Sequence, residues 1–173
     1  MWIAMIDGSD RRLYLHRSAQ VAPYFLTSLI DKLPKACEEL SMKTVLIVED
    51  DPVNARVFSK ILTKRAGLAV KHTENVDEVM EAAQGHQVDV ILMDVSLARS
   101  MYRGKPVDGI KITQLLKADP ETADLPIILV TAHAMEGDRE HFLAQSGADG
   151  YITKPVIDHQ LFVDQIMAVM PQD

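Results

Sequence analysis

Three short runs of large apolar residues constrain the fold of this chain more than any other feature of its sequence. They lie at residues 45–48, 90–93 and 127–130, and they contain only Val, Leu, Ile and one Met. Such runs are typical of strands that are buried on both faces of a parallel sheet. Segments with the apolar spacing of amphipathic helices separate them, which is the pattern of βα units. The sequence therefore predicts an α/β domain built on a parallel sheet.

The predicted domain consists of five βα units that begin near residue 42. Its strands are expected at about residues 44–48, 69–73, 89–93, 126–131 and 149–153. Its helices are expected at about residues 52–66, 76–84, 108–118, 136–146 and 157–170. Asp51 followed by Pro52 is typical of a helix start. Gly67, Gly85 and Gly147 stand where glycine commonly ends a helix.

No regular alternation of strands and helices precedes residue 42. Residues 1–41 contain the single Trp of the chain, Trp2, and an apolar stretch at residues 24–30 that follows Pro23. Because proline is tolerated in the first turn of a helix, this stretch predicts an amphipathic helix. We therefore expect two parts: residues 1–41 as a helical N-terminal extension of unknown role, and residues 42–173 as a domain that folds without it.

Net charge and cysteine content exclude several classes of function. The formal net charge is −7 and no segment concentrates Lys and Arg, which argues against nucleic-acid binding. The single cysteine, Cys37, permits neither a disulfide nor a cysteine metal site within one chain. No apolar run approaches the roughly 20 residues of a membrane span, and the first residues lack the pattern of a signal peptide. We therefore expect a cytoplasmic protein that binds neither nucleic acid nor membranes.

Polar residues stand at the ends of four of the predicted strands. Glu49 and Asp50 follow the first, Asp94 the third, Thr131 closes the fourth, and Lys154 follows the fifth. In an open α/β sheet, ligands bind just outside the carboxyl ends of the strands, so these side chains are expected to converge. Three carboxylates, a hydroxyl and an ammonium together suit a divalent cation and a phosphoryl group.

Each of these residues has an ordinary explanation when it is taken alone. Acidic residues often cap helices, threonine is common in strands, and lysine is usually a solvated surface charge. Taken together they suggest that Asp94 forms an aspartyl phosphate, beside a cation held by Glu49 and Asp50. Pro155 makes a cis peptide bond after Lys154 plausible.

Residues 42–173 resemble the receiver domain of bacterial two-component response regulators, and most closely the single-domain receivers of phosphorelay and cell-cycle type. The resemblance is carried by Glu49-Asp50, by Asp94, by Asp108-Gly109, by Thr131-Ala132 and by the segment from Gly147 to Lys154-Pro155. It implies a flavodoxin-like, doubly wound, five-stranded parallel sheet with strand order 2-1-3-4-5.

The resemblance also implies a role for each residue of the predicted site. Asp94 would accept a phosphoryl group from a histidine kinase or a histidine phosphotransfer protein. Glu49, Asp50 and Asp94 would bind Mg²⁺ together with the backbone carbonyl of Ser96. Lys154 would pair with the phosphoryl group.

Signal output is likewise predicted from the resemblance. Thr131 and Tyr151 would form a switch pair, and the output surface would comprise the fourth helix, the fifth strand and the fifth helix. We expect a phosphorylation-dependent switch that contacts a downstream protein, with slow autodephosphorylation at most, rather than a dedicated enzyme. The chain ends soon after the fifth predicted helix, so no DNA-binding module is expected, and two copies could associate.

Three forms of this function stay open. The chain could be a diffusible receiver, a phosphorelay intermediate that passes the phosphoryl group onward, or the C-terminal receiver of a truncated hybrid histidine kinase. A phosphatase of the haloacid dehalogenase type would need a second aspartate two residues after its nucleophile, where this chain has Ser96.

The segment between Asp94 and Asp108 departs from the family pattern. It is several residues longer than usual and lacks the usual Met-Pro step. Because it borders the predicted site, it could alter partner choice or the dephosphorylation rate. A tolerated insertion is the alternative.

Overall fold

The structure, a computed structural model, describes residues 2–6, 13–17, 42–97, 100–132 and 138–171. The chain divides into two compact units, Met1–Ser41 and Met42–Asp173. The division falls where the regular alternation of predicted strands and helices begins in the sequence.

The first unit contains two strands, β1 (Trp2–Ile6) and β2 (Leu13–Arg17), which pair antiparallel. These two segments are strands, whereas we expected the N-terminal extension to be helical. Each contains aromatic or β-branched residues, and the intervening sequence includes Gly8, Ser9 and Asp10, which favour turns. The helix predicted at residues 24–30 lies outside the described residues.

The second unit is a parallel sheet covered by helices. Its long strands are β3 (Thr44–Val48), β4 (Ala69–Thr73), β5 (Val90–Asp94), β8 (Ile127–Thr131) and β9 (Gly150–Thr153), and two short strands, β6 (Met101–Tyr102) and β7 (Lys105–Pro106), lie between β5 and β8. The helices are α1 (Pro52–Ile61), which a π-helical turn (Leu62–Ala66) continues, α2 (Val76–Gln84), α3 (Gly109–Ala118), α4 (Asp138–Ser146) and α5 (His159–Val169). The sheet order is β4-β3-β5-β8-β9, all parallel. This confirms the predicted order 2-1-3-4-5 and the flavodoxin-like fold.

Two apolar clusters cover the two faces of the sheet. Alternate residues of β3 enter different clusters, with Leu46 in the first and Ile47 in the second. The first cluster includes residues of α2 and α3, and the second includes residues of α1 and α5. In the second, the rings of Phe58 and Phe162 stack with their centroids 5.4 Å apart. Because both faces are buried, the central strands need apolar residues at every position, which explains the continuous runs in the sequence.

Aspartates at the amino edge of the sheet join neighbouring strands. Asp89 precedes β5, and its Oδ2 accepts a hydrogen bond of 2.6 Å from the backbone N–H of Thr44. Asp149 precedes β9, and its Oδ2 accepts one of 2.8 Å from the N–H of Ile127. The same carboxylate lies 2.8 Å from the ammonium of Lys117. These acids satisfy backbone donors where the strands begin.

None of the helices within the described residues combines the length and the apolar character needed to cross a membrane.

Candidate functional site

Glu49, Asp50 and Asp94 come together at the carboxyl edge of the sheet. The register that pairs Val48 with Met93 places the acids that follow them side by side. Each acid offers an oxygen within 4.8 Å of an oxygen from the other two. The side chains of Glu49 and Asp94 are buried, at 2% and 3% exposure, and that of Asp50 is half-buried. The structure therefore brings the three predicted carboxylates together, two of them buried and one half-buried.

This donor set fits Mg²⁺. It consists of carboxylate oxygens only, and Mg²⁺ is a hard cation that prefers oxygen ligands with one or two carboxylates, water and phosphate oxygens. The spacing of the three acids is compatible with one ion shared between them.

Lys154 lies among the same acids. Its Nζ is 3.0 Å from Oδ1 of Asp94, and it is 3.1 Å and 3.4 Å from Oε2 and Oε1 of Glu49. The peptide bond between Lys154 and Pro155 is cis. One ammonium thus contacts two carboxylates, so negative charge remains in excess around it.

Burial and the neighbouring charges shift the pKa of two groups at the site. Burial, followed by the negative charge of Asp94, raises the pKa of Glu49 above its ordinary value of 4.5, although Lys154 and Asn54 act in the opposite direction. For Lys154, burial lowers the pKa, but the hydrogen bond and charge of Asp94, with those of Glu49, outweigh it and raise the pKa above 10.5. Lys154 therefore stays a cation, and the site favours a bound positive charge or a proton on Glu49.

The loop between β3 and α1 holds Glu49 in place. Oδ1 of Asp51 caps α1 by accepting a hydrogen bond of 2.7 Å from the N–H of Val53. The N–H of Asp51 and the side-chain amide of Asn54 donate to Oε1 of Glu49 at 3.3 and 3.4 Å. Asn54 could not be assigned this role from its sequence position, because asparagine in a helix has many explanations. The first turn of α1 therefore orients one of the predicted ligands.

Gly109 explains the Asp-Gly step that opens α3. A Cβ atom at this position would lie 1.9 Å from the carbonyl oxygen of Asp94, which is less than any real contact. The N–H of Gly109 donates to the carbonyl of Val95 at 3.2 Å. The residue type follows from the close approach of α3 to the backbone of the predicted phosphoacceptor.

The remaining predicted residues lie on β8, on β9 and in the turn after β5. Thr131 is fully buried at the end of β8, and its carbonyl accepts a hydrogen bond of 2.7 Å from the N–H of Lys154. Tyr151 is buried on β9, with its ring centroid 6.2 Å from that of Phe142 on α4. Ser96 is exposed in the turn after β5. The switch roles of Thr131 and Tyr151 and the metal contact of the Ser96 carbonyl stay predictions.

The long segment after Asp94 forms a small hairpin that the sequence analysis did not predict. Strands β6 and β7 pair across a turn in which Arg103 and Gly104 have φ angles of 49° and 74°. Tyr102 is half-buried against the first apolar cluster, and the guanidinium of Arg103 lies 5.1 Å from the centre of its ring. The insertion is thus attached to the domain core in its described part, which excludes residues 98–99.

Comparison with known proteins identifies the family. Residues 45–166 match the family model of the response regulator receiver domain. The polar-differentiation response regulator DivK of Brucella anthropi is 38% identical over 114 residues, which cover 66% of this chain and 85% of that protein.

Two solved structures have the same fold. A putative response regulator from Chloroflexus aurantiacus is 25% identical with a TM-score of 0.63, over 74% of this chain and 97% of that chain. The receiver domain of a sensor histidine kinase from Pseudomonas aeruginosa, solved with a magnesium ion in its active-site cleft, is 28% identical with a TM-score of 0.58, over 75% of this chain and 98% of that chain. The chain therefore belongs to the response regulator receiver family of two-component signal transduction.

Proposed function

We propose that Asp94 is the phosphoacceptor of this receiver and that Mg²⁺ is its cofactor. The observation that carries the proposal is the burial of Asp94 at a strand end, with the ammonium of Lys154 at 3.0 Å and two further acids within metal-ligand distance. The magnesium ion in the similar Pseudomonas aeruginosa domain supports the choice of metal.

Phosphoryl transfer in this site needs little more than a nucleophile and positive charge. A carboxylate oxygen of Asp94 forms a bond to phosphorus, the bond from phosphorus to the donor breaks, and its electron pair leaves with the donor. Mg²⁺, when bound, offsets the negative charge that Asp94 and the incoming phosphoryl group would otherwise bring together. Lys154 already contacts Asp94, so its ammonium is placed to pair with the phosphoryl oxygens, and Thr131 lies at the end of the adjacent strand β8.

The surface around the site supports a protein as the phosphoryl donor. Val53 and Val57 lie one turn apart on α1 and are exposed, Val53 at 65%. Ile157 follows Lys154 by three residues and is 85% exposed. Burial of such exposed apolar side chains would favour association with a partner protein. We therefore infer that a histidine kinase or histidine phosphotransfer protein places its phosphohistidine over Asp94 by packing against these residues.

The output is proposed to be a contact with a downstream protein through α4, β9 and α5. A phosphoryl group adds about −1.5 to −2 charges, and the side-chain ammonium of Lys154 is the group that would respond to it. The backbone N–H of Lys154 donates to the carbonyl of Thr131, which couples the end of β9 to β8. Tyr151 lines a surface cavity of about 500 Å³ between β9 and α5, next to Arg139 of α4. We therefore propose a switch rather than a dedicated enzyme, with autodephosphorylation as a slow side reaction.

Labelling with a small phosphodonor tests the proposal without a partner. The protein incubated with Mg²⁺ and acetyl phosphate should gain one acid-labile phosphoryl group, located on Asp94 by mass spectrometry. The Asp94→Asn variant should gain none. Equal labelling of that variant would overturn the assignment. Transfer from the labelled protein to a purified histidine phosphotransfer protein would favour the relay intermediate over a receiver that only binds a target.

A further inference from the structure

The carbonyl group of Glu49 is held by a side chain from the neighbouring strand. The ladder between β3 and β4 ends with Val48 opposite Thr73, so Glu49 lies just beyond the last paired residue. There Nε2 of His72 lies 2.8 Å from the backbone oxygen of Glu49. The imidazole thus extends the connection between the two strands by one residue, at the point where the site begins.

The chemistry of the two groups sets the direction of this hydrogen bond. A carbonyl oxygen can only accept, so Nε2 of His72 must carry the hydrogen and donate it. The His72 side chain is exposed, and neither apolar cluster includes it. Burial therefore does not account for the position of the ring, and the contact with Glu49 is its described interaction.

We propose that His72 is a positioning residue for the magnesium site, an inference that rests on the proposed function of that site. The carbonyl that it holds belongs to the peptide bond between Glu49 and Asp50, two of the three predicted ligands. Anchoring this peptide limits rotation of the backbone on both sides. Glu49 is also held through its carboxylate by Lys154 and Asn54. Asp50 is half-buried, and the peptide anchored by His72 connects it to the strand.

Loss of the His72 hydrogen bond is expected to weaken Mg²⁺ binding and to leave the rate of phosphoryl transfer to Asp94 nearly unchanged. Without the imidazole donor, the Glu49–Asp50 peptide must be ordered when Mg²⁺ binds, and the affinity drops. Loss of one hydrogen bond behind a ligand corresponds to a weakening of about three- to tenfold. At saturating Mg²⁺ the loop is ordered by the ion, so the labelling rate of Asp94 should be within about twofold of the parent.

The test compares three variants of the full chain. His72→Ala removes the donor, His72→Gln keeps a side-chain N–H near the same place, and Lys71→Ala is the matched control. Lys71 is the preceding exposed residue of β4, and its ammonium donates to Gln87 instead, at 2.9 Å. Calorimetric titration with MgCl₂ should show about three- to tenfold weaker binding for His72→Ala, at least partial recovery for His72→Gln, and no change for Lys71→Ala. In the metal-free protein, the amide resonance of Asp50 should move in His72→Ala and stay in Lys71→Ala.

Two results would overturn the inference: parental Mg²⁺ affinity in His72→Ala, or equal weakening in all three variants. Both are independent of the phosphoacceptor. If the parent binds Mg²⁺ but Asp94 is not labelled, the proposed function fails while the titration still decides the role of His72. If Asp94 is labelled normally and His72→Ala binds Mg²⁺ like the parent, only the role of His72 fails.

Discussion

The two edges of the sheet use aspartate and lysine in opposite ways. At the amino edge, Asp149 accepts a backbone N–H and pairs with Lys117, which also donates to the carbonyls of Ala123 and Leu125 at 3.0 Å. At the carboxyl edge, Lys154 faces more negative charge than it can balance. At the amino edge, the charges of Asp149 and Lys117 therefore neutralise each other, and both side chains have hydrogen-bond partners within the domain.

The arrangement at the carboxyl edge places one ammonium between two carboxylates, and the proposed cation would offset the remaining negative charge. Acids placed before strands therefore accept hydrogen bonds from backbone N–H groups, whereas acids placed after strands form the candidate site. The same residue types have different roles because the strand ends differ in what surrounds them.

The largest contrast between the edges is expected for two glycines. Gly109→Ala would place a methyl group against the carbonyl oxygen of Asp94, and backbone cannot move aside easily. Gly150→Ala, near the amino edge, would approach Cγ1 of Ile128 at 3.0 Å, and a side chain can shift. We expect a loss of about 3 kcal/mol of unfolding free energy in the first and about 1 kcal/mol in the second.

Urea unfolding and acetyl phosphate labelling measure both glycine variants. Gly109→Ala should also slow labelling because Asp94 is displaced, whereas Gly150→Ala should label like the parent. Equal losses of stability and equal labelling rates in the two variants would contradict the contrast.

The two lysines should differ in what their removal does. Lys154→Ala should still accept a phosphoryl group, but slowly, and should fail to convey it to Thr131 and Tyr151. Lys117→Ala should convey it normally and lose stability instead, by roughly 1 kcal/mol because its partner is partly exposed. Amide spectra with and without beryllofluoride measure the response. Equal spectral changes near Thr131 and Tyr151 in Lys154→Ala and the parent would show that the Lys154 side chain does not convey phosphorylation to these residues.

The excess charge at the carboxyl edge should make metal binding depend on pH. A carboxyl group whose pKa is raised on folding favours the fold when protonated; for Glu49 that contribution is complete below 4.5 and is lost as pH rises through the raised pKa. Above that pKa the metal-free protein carries an unfavourable charge that Mg²⁺ relieves. Mg²⁺ affinity should therefore fall with decreasing pH, by up to about tenfold per unit below the pKa of Glu49.

Calorimetric titrations with MgCl₂ over a pH range that extends from below to above the pKa of Glu49 test the charge argument. The Glu49→Gln variant has no proton to exchange at this position, so its affinity should be weaker throughout and change less with pH. Parental protein that binds Mg²⁺ equally well at both ends of the range would count against a shared excess charge.

A substitution in the hairpin formed by β6 and β7 should have the smallest effect on the candidate site. Gly104 has a φ of 74°, so Gly104→Ala forces alanine into the left-handed region at a cost of about 1 kcal/mol. None of the predicted ligands lies in this hairpin, and labelling of Asp94 by acetyl phosphate should stay at the parental rate. Thermal unfolding and the labelling time course measure the two expectations, and a slowed time course would place the hairpin in the site.

Much of the second unit could be predicted from the sequence because its signals are long and mutually consistent. The strands buried on both faces lie within one residue of their predicted bounds, as β5 and β8 show. The order of the strands then brings Glu49, Asp94 and Lys154 together, since parallel strands end at one edge.

Other features could not be predicted from the sequence, because no residue pattern indicates them. Two-residue strands such as β6 have no periodicity, so the hairpin after Asp94 could not be predicted. The contact of His72 with Glu49 joins residues on neighbouring strands, and single exposed histidines are common. Gly85 does end α2, but with a φ of −78°, so this glycine is not required by a left-handed conformation.

The most direct measurement of the central claim exchanges the same functional group at the two edges. Asp94→Asn and Asp149→Asn each remove one negative charge while keeping nearly the same shape. With Mg²⁺ and acetyl phosphate, the account predicts no phosphoryl group on Asp94→Asn and parental labelling of Asp149→Asn, followed by intact mass. Asp149→Asn should instead unfold about 0.5–1 kcal/mol more easily in urea. Labelling that survives in Asp94→Asn, or disappears in Asp149→Asn, would contradict the account.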